Sequence, residues 1–250
     1  MSELVLHVPP DRAWGTPNMS PFCGKLETYL RMSGTPYRAA AANPLKAPKG
    51  KVPFVELDGE RIGDSQLIIE RLEERLARTG KTPLDASLSP RERALGRSIR
   101  RMLEEGTYFT GVYLRWWTDG GFAHLQRELG RVMPAPFRLM LPVIRRKVKK
   151  ALLAQGTARH SFDEICAMAI ADFRACADLL GEQPFLLGDA PHVVDCTLYP
   201  FLEGQLRFPN DSPVKQAIAG MPNLVAYRDR IRARWWADLD GGQAPGAVAA

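Results

Sequence analysis

The stretch SPFCGKLETYLR, residues 20–31, decides the fold of this chain. Its apolar residues recur at helical spacing, and Gly34 with Pro36 ends the helix that they predict. An apolar run from Leu4 to Val8 precedes this stretch and predicts a buried strand. The loop between the two is rich in turn-forming residues, namely Pro9, Pro10, Gly15 and Pro17. The chain therefore opens with a strand, a loop and a helix.

Shorter segments downstream complete a small α/β unit. Residues 37–41 and 54–57 predict two more strands, and Asp58-Gly59 predicts a hairpin turn into a fourth strand at 60–63. A second stripe of apolar residues with helical spacing follows directly: Leu67, Ile68, Leu72 and Leu76. The order βαβ and then ββα within residues 1–80 predicts a thioredoxin-like domain of ordinary size.

Residues 90–241 show no further strand pattern and predict an all-helical domain. The first helical stripe of this domain runs along Leu95, Ile99, Leu103, Tyr113 and Leu114. Ser161 and Glu164 have the spacing of a capping box, which predicts a helix start there, and Gly181 predicts the end of that helix. We expect the small-residue tail, 242–250, to be mobile. The predicted fold class is an α/β domain followed by an all-α domain.

The composition is that of an ordinary globular protein, with 250 residues, 45% of them hydrophobic, and a formal net charge of +6. Positive charge is densest at 145–150, which we interpret as a solvated helix face rather than a nucleic-acid or membrane contact, because no aromatic residues interleave it. No apolar run reaches the roughly 18 residues that span a bilayer, and the N-terminus lacks a signal-peptide pattern. The four cysteines show no paired spacing. We expect a cytoplasmic, reduced protein that needs no metal.

Val52-Pro53 stands just before the third predicted strand and opposite the predicted helix start at Ser20. In that place we expect a cis peptide bond, which costs little only before proline. The N–H and C=O of Val52 could then pair with an extended peptide ligand as a short antiparallel strand. The alternative is an ordinary edge-strand proline.

Asp64-Ser65 stands where the second predicted helix begins. Unpaired N–H groups and the positive end of the helix dipole favour a bound carboxylate at such a place. The Ser65 hydroxyl adds a donor, and Asp64 could hold an ammonium group, so an α-amino acid would satisfy both residues. The alternative is a helix cap without a ligand, because Asp and Ser are favoured capping residues.

Ser20 stands just before the first predicted helix, where its hydroxyl could donate to a thiolate while the helix N–H groups lower the pKa of that thiol. Cys23 occupies the second position of what would be a CxxC motif if Ser20 were cysteine. Without the first thiol, dithiol exchange lacks its attacking group. The alternatives are an ordinary capping serine and a half-buried helical cysteine.

Three segments, SPFCGKLETYLR, APKGKVPFVELDGERIGDSQLIIERLE and QPFLLGDAPHVVDCTLYPFL, resemble the glutathione transferase superfamily, and closely its metaxin-related branch typified by the failed axon connections proteins. The resemblance covers almost the entire chain. It implies an N-terminal domain that binds glutathione as co-substrate and a helical C-terminal domain that supplies most of the electrophile pocket. It also makes a homodimer possible.

By this resemblance Ser20 matches the serine that activates the thiol of glutathione. Asp64 and Ser65 match the site of the γ-glutamyl group. The full set of predicted glutathione-binding residues is Phe22, Lys51, Val52, Pro53, Asp64 and Ser65. One departure from the family pattern is His192, which stands where Ser or Thr normally caps the helix that contains Asp195, and histidine is a poorer cap.

We therefore predict a serine-type glutathione transferase in which glutathione thiolate attacks a small apolar electrophile. Four aromatic residues are candidates for the electrophile pocket, although aromatic residues at helical spacing are more often core: Trp14, Tyr108, Tyr113 and Trp116. The rival hypothesis is a non-catalytic scaffold that keeps the fold and the ligand but holds a partner protein. A third hypothesis is a thiol-disulfide enzyme that uses Cys23.

Overall fold

The computed structural model describes residues 3–43, 46–132 and 138–241 of the chain. The tail that the sequence predicts to be mobile, 242–250, lies outside the described residues. The N-terminal part of the described chain combines a small sheet with helices, and the rest is helical. The predicted fold class is confirmed.

Four short strands form one mixed sheet: β1 Val5–Val8, β2 Arg38–Ala41, β3 Phe54–Leu57 and β4 Glu60–Gly63. The spatial order is β2-β1-β3-β4. Strands β1 and β2 are parallel, and the other neighbours are antiparallel. Helix α1, Pro21–Met32, makes the crossover from β1 to β2, and helix α2, Ser65–Arg78, follows β4. These bounds agree with the sequence prediction to within a residue or two.

The helical part begins at Pro90, twelve residues after α2 ends, and the division at 80 and 90 stays a prediction. Its helices are α3 Pro90–Met102, α4 Tyr108–Val112, α5 Asp119–Val132, α6 Leu141–Gln155, α7 Phe162–Leu180, α8 Val193–Arg207, α9 Pro213–Ala219 and α10 Pro222–Trp235. Two π-helical segments, Leu103–Thr107 and Tyr113–Trp117, lie on either side of α4, so the backbone stays helical from Pro90 to Trp117.

The predicted capping box at the start of α7 is confirmed. The backbone N–H of Glu164 donates to Ser161 Oγ at 3.3 Å, and the N–H of Ser161 donates to Glu164 Oε2 at 2.8 Å. Helix α3 begins with a second box of the same kind, between Ser89 and Glu92. These boxes satisfy backbone donors that would otherwise have no partner at the helix starts.

The two parts of the molecule meet where α1 packs against α8. A Cβ atom added at Gly24 of α1 would lie 2.9 Å from Cβ of Pro200 in α8, so only glycine permits this approach. Val193 and Cys196 of α8 are buried in the same hydrophobic cluster as Leu26 and Ile68. The helical part therefore completes the core beneath the sheet.

The basic run at 145–150 lies on α6 and is partly used inside the protein. The guanidinium of Arg145 donates to the carbonyl oxygens of Trp116 and Trp117, and Lys149 lies 4.9 Å from the ring centre of Trp117. Arg146 and Lys147 are exposed. Within residues 3–43, 46–132 and 138–241, no helix is both long and apolar enough to cross a membrane.

Candidate active site

The sheet register brings the three predicted ligand segments to one edge of the sheet. His7 of β1 lies opposite Phe54 of β3, and Phe54 lies opposite Gly63 of β4. The end of β1, the start of β3 and the end of β4 therefore share an edge, because antiparallel partners reverse direction. The chain reaches Ser20 from β1, Val52-Pro53 precedes β3, and Asp64 follows β4 directly.

The loop between β1 and α1 is held against itself by polar side chains. The amide of Asn18 donates to the carbonyl of Pro9 at 3.0 Å, and its oxygen accepts the N–H of Ser20 at 3.0 Å. Asp11 Oδ1 accepts the N–H of Met19 at 3.2 Å, and burial raises the pKa of this carboxyl group. This network fixes Ser20 beside the end of β1, and the sequence pattern did not single out Asp11 or Asn18.

Ser20 is the N-cap residue of α1, with an extended backbone and Pro21 at the first helical position. Its side chain makes no capping hydrogen bond, although the backbone carbonyl of Ser20 accepts the N–H of Gly24. The hydroxyl is therefore not consumed by a cap of its own helix. A half-buried hydroxyl that does not cap its own helix is available to a ligand.

Cys23 lies beneath Ser20 and is fully buried. Burial raises the pKa of its thiol to about 12, and the neighbouring Ser20 hydroxyl only partly opposes that effect. A thiol with such a pKa is protonated at neutral pH and is a poor nucleophile. This geometry disfavours the hypothesis of a thiol-disulfide enzyme.

The peptide bond between Val52 and Pro53 is cis, as the sequence predicts. Val52 is half-buried and packs against the N-terminal core, whereas Lys51 is exposed. Phe22, in the first turn of α1, lies at the boundary with the helical part, and its ring meets that of Tyr108 edge-on at 4.9 Å between centroids.

Asp64 caps α2 with a backbone φ of 88°, a conformation that a residue other than glycine rarely adopts. Its Oδ1 accepts the N–H groups of Gln66 at 2.9 Å and Leu67 at 3.2 Å. Ser65, the first helical residue, is buried with 5% of its surface exposed. Asp64 therefore does cap α2, as the alternative without a ligand expects. Its unusual backbone conformation is of a kind that tends to persist where function requires it.

A cleft of about 280 Å³ opens beside Ser20, between the loop 9–20 and the helical part. Its walls come from five elements: the loop, the first residue of α1, the helical run that contains α4, helix α5 and helix α8. Two of the predicted pocket residues, Tyr108 and Trp116, line it. Burial raises the pKa of the Tyr108 hydroxyl, so this phenol stays neutral.

The other two predicted pocket residues lie elsewhere. Tyr113 is buried in a separate cluster with Leu152 and Ile165, and its ring stacks on Trp117. Trp14 lies behind the cleft, where it meets Phe208 edge-on at 4.9 Å. Neither residue is part of the cleft wall.

The π-helical segments explain which residues face the cleft. The lining residues repeat every four positions: Thr107, Gly111 and Arg115, with Tyr108, Val112 and Trp116 beside them. A four-residue repeat drifts around an α-helix of 3.6 residues per turn, whereas a π-turn takes in more residues. Alternating α and π turns therefore keeps this stripe on one side. A prediction that assumes a regular α-helix throughout would not put these residues on one side.

Arg115 is a charged residue of the cleft that the sequence analysis missed, as it missed Asp11 and Asn18. Its Nη1 donates to the carbonyl of Met19 at 2.8 Å, and its Nη2 donates to the carbonyl of Gly204 at 3.1 Å. Burial lowers the pKa of this guanidinium to about 10, so it remains a cation at neutral pH. The sequence signal that could have identified Arg115 is that it is the one cation among otherwise uncharged residues in this stripe, which repeats every four positions.

Comparison with known proteins gives consistent matches. Residues 21–121 match the family described as "Glutathione S-transferase N-terminal domain", and residues 169–231 match "Glutathione S-transferase, C-terminal domain". The chain is 32% identical to isoprene-epoxide–glutathione S-transferase of Rhodococcus sp. (strain AD45), over 89% of this chain and 95% of that protein.

The chain is also similar to two other proteins. It is 28% identical to Failed axon connections of Drosophila melanogaster, over 90% of this chain but 56% of that protein, so it spans little more than half of that relative. A solved glutathione S-transferase from Methylobacterium radiotolerans, in complex with glutathione sulfonate, superposes with a TM-score of 0.61 at 18% identity. That match covers 100% of this chain and 98% of the solved one, and it concerns the fold alone.

Proposed function

Because this chain belongs to the glutathione S-transferase family, we propose that it is an enzyme in which Ser20 stabilises the thiolate of bound glutathione for attack on a small apolar electrophile. One observation carries the proposal. The Ser20 hydroxyl stands at the start of α1, makes no capping bond, and lines a largely apolar cleft.

The proposed reaction needs little from the protein beyond placement and charge stabilisation. Ser20 donates a hydrogen bond to the sulfur, and the N–H groups of the first turn of α1 favour its negative charge. The thiol proton passes to solvent. The sulfur then forms a bond to an electrophilic carbon, and the bond from that carbon to its leaving group breaks.

Glutathione itself would lie along the sheet edge. The backbone of Val52 would pair with the peptide, and the start of α2 would receive the γ-glutamyl carboxylate, with the Ser65 hydroxyl as a further donor. Asp64 already uses Oδ1 as a cap, which leaves Oδ2 for the ammonium group. No described side chain accepts a bond from the Ser65 hydroxyl within 3–43, 46–132 and 138–241, which suits a ligand role.

The relative from Rhodococcus suggests the class of electrophile. The name of that protein pairs glutathione with isoprene epoxide, a small and mostly hydrocarbon molecule. The cleft beside Ser20 has similar character, since Pro9, Leu125 and Phe201 contribute to its wall. We infer that small apolar epoxides are the substrates to test first.

A pair of variants separates binding from activation. In the wild type, the ultraviolet absorbance of bound thiolate should titrate well below the roughly 8.5 of a free thiol. Ser20→Ala should raise that pKa and lower the rate of conjugation near neutral pH. Each unit by which the pKa rises corresponds to about 1.4 kcal/mol of lost preference for the thiolate. Ser65→Ala should leave the thiolate pKa unchanged but weaken glutathione binding by about 1.5–3 kcal/mol, as measured by calorimetry.

The similarity to Failed axon connections supports a second candidate, a scaffold that binds glutathione without turning it over. A scaffold gives no reason for the thiolate pKa to fall. Bound glutathione that titrates like free glutathione in the wild type, together with no consumption of any tested electrophile, would exclude the enzyme and favour the scaffold. The cytoplasmic location and the homodimer remain predictions.

A further inference from the structure

Arg115 differs from the other partly or fully buried arginines of the interface between the two parts. Arg31 pairs with Asp238 at 2.6 Å, Arg100 pairs with Glu104 at 2.8 Å, and Arg232 pairs with both Glu203 and Asp240. In the described part of the chain, no carboxylate oxygen lies within 4.0 Å of Arg115, whose two hydrogen bonds go to neutral carbonyl groups. The Asp11 carboxyl lines the same cleft but lies beyond that distance.

An arginine in this state is costly for a structural residue. Removing a cation from water is repaid only by a well-placed counter-ion, and carbonyl oxygens carry only partial charge. A guanidinium has five N–H donors, and two of those of Arg115 are used. Two aromatic rings flank it, Trp14 and Phe208, each with its centre 5.4 Å away. Apolar surroundings strengthen the attraction between this cation and any anion that forms beside it.

The position of Arg115 ties it to the reacting centre. It lines the same cleft as Ser20, and its Nη1 holds the carbonyl of Met19, the residue before Ser20. The opposite anchor, Gly204, also suits this placement, since a Cβ atom there would lie 3.0 Å from Nη2 of Arg115. Glycine therefore leaves room for the guanidinium at the cleft wall.

We propose that Arg115 is the anion-binding group of this cleft and that it holds the oxygen atom released when glutathione thiolate opens an epoxide ring. This assignment rests on the proposed function. The sulfur bonds to one ring carbon, the bond between that carbon and oxygen breaks, and the electron pair stays on oxygen as an alkoxide beside Arg115. Water then protonates the alkoxide, and the product is a β-hydroxy thioether.

The competing explanation is that Arg115 only braces the loop before Ser20 against α8. A binding experiment without turnover separates the two. S-carboxymethylglutathione carries its oxygens three bonds from sulfur, as does the oxygen of the opened epoxide, and S-carbamoylmethylglutathione has the same shape without the charge. Calorimetry should give the wild type a preference of about tenfold or more for the charged compound.

Arg115→Met should abolish that preference while circular dichroism shows an intact fold, and Arg115→Lys, which keeps the charge, should retain part of it. Arg146→Met removes an exposed cation from α6 and serves as the matched control, with the wild-type preference expected. Equal affinities for the two compounds in the wild type, or a preference that survives in Arg115→Met, would overturn the assignment.

Kinetics distinguish a failure of this assignment from a failure of the proposed function. An alkyl iodide is the reference electrophile, because iodide is a weak base and needs little stabilisation as it leaves. Arg115→Met should lower kcat/KM for a small epoxide by about 100-fold, the usual effect of losing one oxyanion donor, and for the iodide by only a few-fold. Equal losses on both electrophiles would overturn the assignment of Arg115 but not the proposed function. A wild type that conjugates neither electrophile would overturn the proposed function and this assignment with it.

Discussion

Helix α1 faces the helical part of the molecule with two regions of opposite character. Along its middle, Lys25 is fully buried, and its Nζ donates to Glu104 at 2.6 Å and to Gln66 at 2.7 Å. Glu104 also accepts from Arg100. At the start of the same helix, the Ser20 hydroxyl makes no capping bond, and Arg115 has no carboxylate within 4.0 Å in the described chain.

The difference indicates what each region is for. Buried charges that are fully paired fix how the two parts dock, because a displaced partner leaves an uncompensated ion. A polar group without a charged partner contributes less to docking than a buried ion pair, but it can meet a charge that arrives with a ligand. The middle of α1 should therefore respond to mutation in stability, and its start should respond in binding and rate.

The largest loss of stability is expected from Lys25→Met. This change leaves Glu104 buried with one cation fewer, and breaking a buried ion pair costs about 3–5 kcal/mol. Burial lowers the pKa of Lys25 while Glu104 opposes that effect, so the pair stabilises the ion that burial disfavours. Urea unfolding monitored by circular dichroism measures the loss.

Arg101→Met is the matched control for Lys25→Met, because the Arg101–Glu105 pair is more than half exposed on both sides. Exposed pairs of this kind contribute less than about 1 kcal/mol. If the two variants lose similar amounts of stability, the buried network does not hold the two parts together, and the contrast between the two regions of α1 fails.

The next effect concerns the packing of α1 on α8. In Gly24→Ala, the new Cβ would start 2.9 Å from Pro200 Cβ, and overpacking of this kind costs about 1–3 kcal/mol, partly offset by the better helix propensity of alanine. Gly130→Ala in α5 is the control, since no atom lies within 4 Å of its added Cβ. It should stabilise the protein by about 0.5–1 kcal/mol. Thermal unfolding should therefore move in opposite directions, and a parallel shift would argue against a tight α1–α8 contact.

Much of the fold could be predicted from the sequence because its signals are local. The strands, α1, α2 and the capping box at Ser161 follow from periodicity and cap chemistry, and the cis bond before Pro53 follows from its place ahead of a strand. The resemblance to the glutathione transferase superfamily and its metaxin-related branch is also confirmed. The roles of Ser20, Asp64 and Ser65 stay predictions.

The cleft was harder to predict because its wall depends on backbone geometry that residue types do not encode. Tyr113 and Trp116 are three positions apart and could share a face of an α-helix, but the second π-helical segment sends them to different clusters. Arg115 could not be identified for a related reason. Its role depends on having no carboxylate within 4.0 Å in the described chain, and that depends on contacts between residues far apart in the sequence.

The smallest expected effect tests the edge of the docked region, where His192 joins α8 to the segment after α2. Its Nδ1 lies 2.9 Å from the carbonyl of Leu84, and the Asp85 carboxylate, 3.6 Å from the same nitrogen, raises the pKa of the imidazole above its ordinary 6.5. A group whose pKa is raised by folding adds stability that is complete below the unfolded pKa and is lost as pH rises through the folded one. The wild type should therefore lose this contribution between about pH 5.5 and pH 8, a range that brackets the titration of histidine.

His192→Ser supplies an ordinary helix cap, and its hydroxyl can accept the N–H of Asp195, but it does not titrate. Urea unfolding at both pH values should show a smaller decline in the variant, and the difference between the two declines isolates His192 from groups that both proteins share. If the stability of the wild type and of the variant declines equally, the contact between His192 and the segment after α2 does not depend on a paired charge. It would then resemble the carbonyl contacts of Arg115.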